Sequence, residues 1–406
     1  MFSAGTAVLI ALAGATVLMH LVGMWATWRR LARPVERSTA LPPLTLLKPI
    51  KGLEEQLEDN LRSFLAQDYP APLQVVFAST DADDPGIAVA RRVAQDHPNV
   101  DTVFVHSAEG FGLNPKVDNL RGALGSARHD HVLQSDANVR VAPGYLAAVM
   151  GEYVASGASL LGSLVVGSGE RSFGAALDNL QLTAFTSPGL CMAEELAGIH
   201  CVLGKAMVLR RSELDELGGL ALVKDVLAED YVLGQIYAHA GKRVVLSMTP
   251  VENVNVDAGV RRFLARHARW LKMRAVVSVA GFVADIAANP TPFALAAWFA
   301  SGLDPRLFGV FICATAYKAF WDRALLLRLR GHGMGLRQLL VTPARDLALA
   351  VLWPYAAFSR TTEWRGVRLR LGRGSSLRRD EGNLAVRALH RLTGATSRAA
   401  GTPGVH

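Results

Sequence analysis

Three acidic clusters follow one another along the chain, and an Arg-Trp motif comes after them. The clusters are Thr80-Asp81-Ala82-Asp83-Asp84-Pro85, Gln134-Ser135-Asp136-Ala137-Asn138 and Ala228-Glu229-Asp230-Tyr231. The fourth element is Arg266-His267-Ala268-Arg269-Trp270. Carboxylates hold hard divalent cations such as Mg2+ or Mn2+, which want oxygen ligands. A further carboxylate can take the proton of an attacking hydroxyl. Arginines grip a diphosphate with paired hydrogen bonds, and Arg266, Arg269 and Trp270 fall at i, i+3 and i+4, one face of a helix. Lys116 follows Pro115 in a Gly/Asn/Pro loop, from which an ammonium can reach a phosphate. The set points to an enzyme that holds a metal-bound sugar nucleotide and moves the sugar.

Each element also has a plainer reading. Asp-Asp-Pro is good turn chemistry. Asp136 can cap the segment after its strand, and Asp230 can cap a helix. The arginines can lie on anionic lipid together with Arg261, Arg262, Lys272 and Arg274. Glu229 is expected to support rather than to catalyse. His200 and Cys201 read equally well as a satisfied histidine and a packed cysteine, and His239 and His267 as surface or packing residues.

The elements that must carry these residues alternate. Leu44 to Pro49 is a short apolar run with a breaker, a strand signal. Leu53, Leu57, Leu61, Phe64 and Leu65 have helical spacing within 53–66. Leu73 to Ser79 is a strand, Ile87 to Gln95 a helix, Asp101 to Val105 a strand, Lys116 to Ala127 a helix, and His131 to Gln134 a buried strand running into Asp136. This alternation predicts an α/β domain with a doubly wound, mostly parallel sheet. Ligands in such sheets bind beyond the carboxyl ends of the strands, where Asp81 to Asp84 and Asp136 fall.

Hydrophobic residues make up 50% of the 406 and charged residues 19%, a balance that leans towards a membrane protein. Phe2 to Trp28 has no charged side chain and exceeds the ~20 residues that span a bilayer, so 1–28 reads as an uncleaved anchor. Arg29, Arg30, Arg33 and Arg37 lie in a basic linker, 29–43, and place the chain beyond the anchor in the cytoplasm by the positive-inside rule. The catalytic domain takes 44–274. Beyond it, Phe293 to Gly302 and Leu307 to Trp321 flank a polar turn and read as a membrane hairpin. Asp346 to Phe358 is too short to span and reads as interfacial or re-entrant, so 275–360 is a membrane region. The basic tail, 361–406, is expected to become partly disordered from Gly372 onward. The net charge of +8 sits beside apolar segments, which favours lipid headgroups over nucleic acid. Three cysteines without metal-ligand spacing fit a reducing compartment.

Other blocks extend the pattern: Leu47-Lys48-Pro49-Ile50-Lys51-Gly52, Gly112-Leu113-Asn114-Pro115-Lys116-Val117-Asp118-Asn119-Leu120, Ser135-Asp136-Ala137-Asn138-Val139-Arg140, His200-Cys201-Val202-Leu203-Gly204-Lys205 and Glu363-Trp364-Arg365-Gly366. At these motifs the chain resembles the ceramide glucosyltransferase family (glycosyltransferase family 21, related to family 2), inverting enzymes of the GT-A fold. The resemblance runs from the anchor to about Leu371. Arg266 stands where the wider family usually has Gln, which points to the lipid-glycosylating branch rather than the processive polysaccharide synthases. The resemblance implies that Asp84, with Asp81 near it, contacts the nucleotide. It implies that Asp136 is the metal-associated aspartate beside the diphosphate and that Asp230 is the general base. It gives Arg266, Arg269 and Trp270 the diphosphate and acceptor side, and it places His200 and Cys201 near the acceptor. The implied activity is transfer of a sugar, glucose from UDP-glucose, to a membrane lipid hydroxyl such as that of ceramide. The alternatives are transfer of N-acetylglucosamine or another hexose to a hopanoid or other lipid, or a membrane protein that binds nucleotide sugars without chemistry. Only a catalyst has use for a base at Asp230.

Overall fold

The computed structural model describes residues 2–364 and 367–380. Its centre is an eight-stranded sheet, ordered β3-β2-β1-β4-β7-β6-β8-β5. The strands are β1 (Leu44–Pro49), β2 (Leu73–Ser79), β3 (Asp101–His106), β4 (His131–Ser135), β5 (Val139–Arg140), β6 (Leu160–Ser168), β7 (Ala206–Arg210) and β8 (Val244–Val254). β1 pairs in parallel with β2 and β4, β2 with β3, and β6 with β8. β7 runs antiparallel to β4 and β6, and β5 antiparallel to β8. β1 is buried along its whole length, as a strand covered on both faces must be.

In the first half, α2 (Leu57–Leu65), α3 (Pro85–Gln95) and α4 (Pro115–Gly125) alternate with the strands, followed by α5 (Tyr145–Ser156). The helix expected from Leu53 starts at Leu57, because Gln56 is left-handed (φ 53°) and Leu53 lies exposed on the loop before it. A non-glycine residue there interrupts the helix that spacing alone would extend. Two core clusters lie on the two faces of the sheet. Leu46, Phe64, Phe77 and Leu146 belong to one, and Leu47, Leu120, Met207 and Tyr237 to the other.

The second half adds α6 (Phe173–Gln181), a π-turn at Leu182–Thr186, α7 (Ser187–Ala197), α8 (Arg211–Glu216), α9 (Glu229–His239) and α10 (Val260–Val277). The N-terminal apolar run forms α1 (Ala4–Leu31), the one described helix long and apolar enough by itself to cross a membrane. α11 (Val279–Ala287) and α12 (Pro290–Ala300) meet at a 56° bend, and together they pass the same length and composition test. α12 packs on α13 (Pro305–Arg330) and lies against α1, but α13, the second arm of the expected membrane hairpin, is not among the described helices apolar enough to cross a membrane. α13 carries Lys318, Asp322 and Arg323 along its length. The segment expected only from Asp346 begins at Gln338, giving the 21-residue α14 (Gln338–Phe358) with Pro343 and Pro354 inside it. Pro343 marks a break to sequence reasoning, yet here the helix continues through it.

The stretch from Gly372 to Asp380 is structured. β9 (Thr361–Trp364), β10 (Val367–Leu371) and β11 (Leu377–Arg379) form a small antiparallel sheet. The Ser375 carbonyl and hydroxyl accept hydrogen bonds from Leu227 and Ala228 N–H, and Asp225 O accepts from Leu377 N–H. This sheet therefore braces the loop that leads into α9. Arg365 and Gly366 of the Glu-Trp-Arg-Gly motif, and the tail beyond Asp380, lie outside the described residues.

Candidate active site

Asp230 occupies the first turn of α9, where backbone N–H groups favour a carboxylate. Its Oδ2 accepts from Gly204 N–H and its Oδ1 from Tyr231 N–H. Gly204 has no Cβ for a local reason. A methyl there would stand 2.7 Å from Lys116 Nζ and 3.1 Å from Asp230 Oδ2, so a larger residue would push the Lys116 ammonium out of its present place beside Asp230. Burial pushes the Asp230 carboxyl up to about 6, Glu229 adds to the rise, and Lys116 with the two backbone N–H groups opposes it. A carboxyl poised there is matched to proton abstraction near neutral pH.

Lys116 enters the site because Asn114 caps α4, its side-chain oxygen accepting from Lys116 N–H at 3.0 Å. From the first turn of that helix Lys116 Nζ reaches Asp136 Oδ1 at 2.9 Å and Glu229 Oε1 at 2.8 Å. Burial alone would lower its pKa, but Asp136, Glu229 and Asp230 outweigh that and hold it charged. Asp136 stands past the end of β4, with its second oxygen 2.9 Å from Lys205 Nζ. Burial would raise its pKa, and the two ammonium groups drive the net shift well below the usual carboxylate range. Three carboxylates (Asp136, Glu229, Asp230) thus face two ammonium groups (Lys116, Lys205). Lys48, wholly buried in β1, lies behind them. Its Nζ donates to Ser135 Oγ and Asp136 O and sits 3.5 Å from the Phe64 ring centre. Burial holds Lys48 well below its ordinary pKa.

Asp84 is not a solvated turn residue. It is buried as the N-cap of α3, and its carboxylate accepts from Gly86 N–H, Ser79 Oγ–H and Gly52 N–H at 2.8–3.0 Å. It ties the Lys51-Gly52 loop to the end of β2. Asp81 is exposed on the rim, with its Oδ1 accepting from Asp83 N–H. Asp84 and Asp81 therefore belong to the β2 edge, and Asp136, Glu229, Asp230, Lys116 and Lys205 form the tight cluster.

Arg266 and His267 project from α10 onto one fully buried carboxylate, Asp178 of α6. The distances are 2.6 Å to Arg266 Nη1 and 2.8 Å to His267 Nε2. Arg266 also donates to Asn255 Oδ1. Burial would raise the Asp178 pKa, but His267 and Arg266 lower it overall. Arg266 and His267 thus lock α10 against α6, a role the sequence did not assign to either. Arg269 is half-buried one turn further on. The Trp270 indole packs edge-on to the His267 ring at 5.3 Å and borders the main core.

Cys201 packs beside Leu31, Leu164 and Leu190, and burial pushes its thiol up to about 11. His200 is half-exposed, with Nδ1 lacking a hydrogen-bond partner among the described residues, 3.9 Å from Glu194 Oε1. Both precede Gly204 by a few residues, on the segment that lies beside Asp230. Among the described residues no three His, Cys, Asp or Glu side chains gather as a metal cage.

Gly204 and Lys205 were quoted in the sequence only as the end of the His200–Lys205 block, with no role assigned, and Asp178 was not singled out at all. Lys205 follows from strand register: Ser135 pairs with Ala206 across the antiparallel β4–β7 ladder, which sets Lys205 against Asp136. The signal for Asp178 was a lone acid in the apolar helix 173–181, since a buried carboxylate must be paired.

The profile of Glycosyl transferase family 21 matches residues 6–377. The chain is 28% identical over 258 residues to Ceramide glucosyltransferase 1 of Caenorhabditis elegans, covering 63% of this chain and 55% of that protein. It is 25% identical over 355 residues to Ceramide glucosyltransferase 3 of the same organism, covering 86% and 77%. It thus spans little more than half the length of the first relative. Among solved structures, the mannosyltransferase PcManGT from Pyrobaculum calidifontis, in complex with GDP-Man and Mn2+, superposes with a TM-score of 0.50 at 21% identity. That match covers 86% of this chain and 99% of that one, a likeness of fold. Matched from α1 to the first residue of β11, the chain belongs to glycosyltransferase family 21.

Proposed function

We propose that this chain transfers glucose from UDP-glucose to the hydroxyl of a membrane lipid such as ceramide, with inversion at the sugar carbon. The observation that carries this reading is Asp230. Its carboxyl is raised to about 6 and stands beside Lys116, which in turn holds Asp136. Asp230 takes the hydroxyl proton as the oxygen attacks the anomeric carbon, and the bond from that carbon to the diphosphate breaks with UDP leaving. Lys116 and Lys205 supply positive charge where the leaving group gains negative charge. Arg269 serves the same end from α10, and Arg266, held by Asp178, fixes that helix. Asp84 shapes the Gly52 loop on the nucleotide side, Asp81 lies on its rim, and His200, Cys201 and Trp270 border the acceptor.

A divalent cation fits this donor set when it arrives with the diphosphate. Mg2+ typically takes one or two carboxylates plus substrate phosphates rather than a protein cage. Asp136 would hold the cation in place of one of the ammonium groups, Lys116 or Lys205, that now occupy its two oxygens at 2.9 Å each and that the diphosphate would draw away. The cation would supply charge neutralisation on the departing diphosphate.

The ceramide glucosyltransferase names of the relatives support the acceptor class, and α1 with its flanking arginines supports an enzyme anchored in the bilayer and facing the cytoplasm. The helices from 279 to 358 complete the membrane part in this reading.

The test is direct. Purified full-length protein is incubated with labelled UDP-glucose or UDP-N-acetylglucosamine and with ceramide or a hopanoid. The expected product is β-linked hexosylceramide from UDP-glucose. A product with retained configuration, or one formed only from the hopanoid, overturns the reading.

A further inference from the structure

The small antiparallel sheet has two faces, and only the inner one has a role in the account above. β10 alternates: Leu369 and Leu371 are buried, Arg368 and Arg370 exposed. Residues paired across a ladder share a face of the sheet. Leu371 pairs with Leu377, so the leucines line the inside, and Arg370 pairs with Arg378, so two guanidinium groups stand side by side on the outside. Thr361 and Glu363 share that outer face through the β9 ladder. Like charges directly opposite one another destabilise a sheet, and an anion between them removes the penalty. Arg368 has such a partner in Asp380, at 2.8 Å. Among the described residues Arg370 and Arg378 have none, and neither do Arg360, Arg373 and Arg379, all exposed on or beside the sheet.

The basic residues next to α1 are placed differently. Arg29, Arg30 and Arg33 pair with Glu194 and Glu195 of α7, so their charge is answered inside the protein. The sheet instead follows the end of α14, where Tyr355 and Phe358 are 54% and 90% exposed. An exposed aromatic helix end followed by unpaired arginines is the pattern of a segment at headgroup depth. Lys272 of α10 ties the helix end to the sheet, its ammonium donating to the Tyr355 hydroxyl at 3.1 Å and to Thr361 O at 2.8 Å.

The inner face reaches the reaction centre. Leu369, Leu371 and Leu377 cluster with Leu227, and Leu113, Met273 and Val276 pack on them. Leu113 leads into Asn114, the cap that presents Lys116, and Leu227 leads into Glu229 and Asp230. The two loops are also tied to each other, Asn114 Nδ2 donating to Val226 O at 2.7 Å and Leu113 N–H to Asp225 Oδ1 at 2.8 Å. Ser375, which accepts from Leu227 and Ala228 N–H, is fully buried with a left-handed φ of 57°. A residue other than glycine keeps that conformation only where its surroundings fix it. A shift of the sheet is therefore transmitted both to the base and to the lysine that tunes it.

We propose that the outer face of the β9–β11 sheet, centred on Arg370 and Arg378, docks on anionic phospholipid headgroups of the bilayer, and that this docking holds the loops of Lys116 and Asp230 in their active placement, so that turnover rises with membrane charge. The proposal rests on the membrane-anchored reading above and adds to it a headgroup class and a means of regulation.

The experiment places the full chain in nanodiscs of phosphatidylcholine alone and of equal parts phosphatidylcholine and phosphatidylglycerol. In the anionic discs hydrogen–deuterium exchange should slow over 224–230 and 367–380, and glucosylation of ceramide at saturating UDP-glucose should rise severalfold. High salt should cancel both changes. Each arginine near an anionic surface is worth about fivefold in affinity, so Arg370→Gln/Arg378→Gln should lower the docked-to-free ratio about 25-fold and remove most of both responses while keeping the rate seen in phosphatidylcholine. Arg92→Gln/Arg128→Gln, which removes two arginines exposed elsewhere on the α/β domain, should respond as the wild type does. Equal exchange and equal turnover in the two discs overturn the proposal, and so does an equal loss of response in both double variants. If inorganic phosphate or glycerol phosphate raises turnover in neutral discs as much as the anionic lipid does, the face takes a soluble anion and the lipid proposal is refuted. Slowed exchange without a change in turnover overturns the regulation. A wild-type chain that glucosylates no lipid refutes the function proposed above, while the exchange measurement, which needs no turnover, still decides the docking. The wild-type comparison needs no variant, so misfolding of a substitution leaves the proposal open to refutation.

Discussion

Lys116→Gln offers the sharpest test of how the cluster works, because it should move a pH limb as well as a rate. Lys116 is the charged side chain that opposes the upward shift of Asp230. The two groups stand on either side of Gly204, 2.7 Å and 3.1 Å from the methyl that position excludes. Their charged atoms are therefore no more than about 6 Å apart, where Coulomb's law gives roughly 3 kcal/mol at an effective dielectric of about 20 and roughly 0.7 kcal/mol in water. Those energies correspond to about 0.5–2 pK units.

The sign is set by charge. A cation favours the ionised carboxylate, so removing it raises the Asp230 pKa further above about 6. The base is active when deprotonated, so the acid limb of kcat/KM should shift upward by about 0.5–2 units. The loss in rate should then be larger at pH 6 than at pH 9. Lys116→Arg should return most of the limb. Lys205→Gln should lower the rate and move the limb less than Lys116→Gln, since Lys205 pairs with Asp136 and not directly with Asp230. Removing Lys116 also leaves the buried Glu229 without an ammonium partner, with only the Asn114 amide donating to it, at a cost of up to about 3–5 kcal/mol. The profile is therefore measured on Lys116→Gln and on a Lys116→Gln/Glu229→Gln pair, with folding checked by circular dichroism. A limb that stays in place in both proteins refutes the electrostatic account of Asp230.

Asp230→Asn should retain UDP-glucose binding and lose roughly 10²–10⁴-fold in turnover, the usual worth of a positioned base. Near-wild-type turnover would exclude Asp230 from proton transfer. Excess chelator should abolish activity and Mg2+ or Mn2+ should restore it, since a single carboxylate with phosphate oxygens suits hard cations. Asp136→Ala should abolish that response, and full activity in chelator would refute the cation reading. Arg269→Ala should cost far more turnover than Arg261→Ala, because Arg261 is exposed at the start of α10 and a headgroup contact is worth only about 1 kcal/mol. Equal losses at saturating donor would mean that α10 acts as a general basic surface.

The elements that carry the site were legible where local signals and tertiary packing agree. β2 runs over Leu73–Ser79 as expected, and α3 and α4 begin at Pro85 and Pro115, where Asp84 and Asn114 cap them. Asp230 was named through the resemblance and Lys116 through its Gly/Asn/Pro loop, and both lie in the first turn of a helix, α9 and α4. The partners could not be picked out. Lys205 reaches Asp136 only through an antiparallel strand inserted in a sheet whose first half reads as parallel, and no local pattern announces that change of direction. Asp178 meets Arg266 and His267 across 88 and 89 residues of chain.

The same difference applies to the Arg-Trp face. Helical spacing correctly put Arg266, Arg269 and Trp270 on one helix, but spacing gives only the face a side chain shares, not the partner opposite it. That partner is Asp178 for Arg266. Its carboxylate is held below its ordinary pKa by the very residues it anchors. The pair is fully formed above the carboxylate's ordinary range and weakens only as pH falls through its depressed value, so the α6–α10 contact stays locked across the range in which Asp230 titrates. On the proposed mechanism Asp230 can therefore change charge near pH 6 while the helix that carries Arg269 and Trp270 keeps its place, and the acid limb of activity is expected to report proton transfer rather than loss of the scaffold.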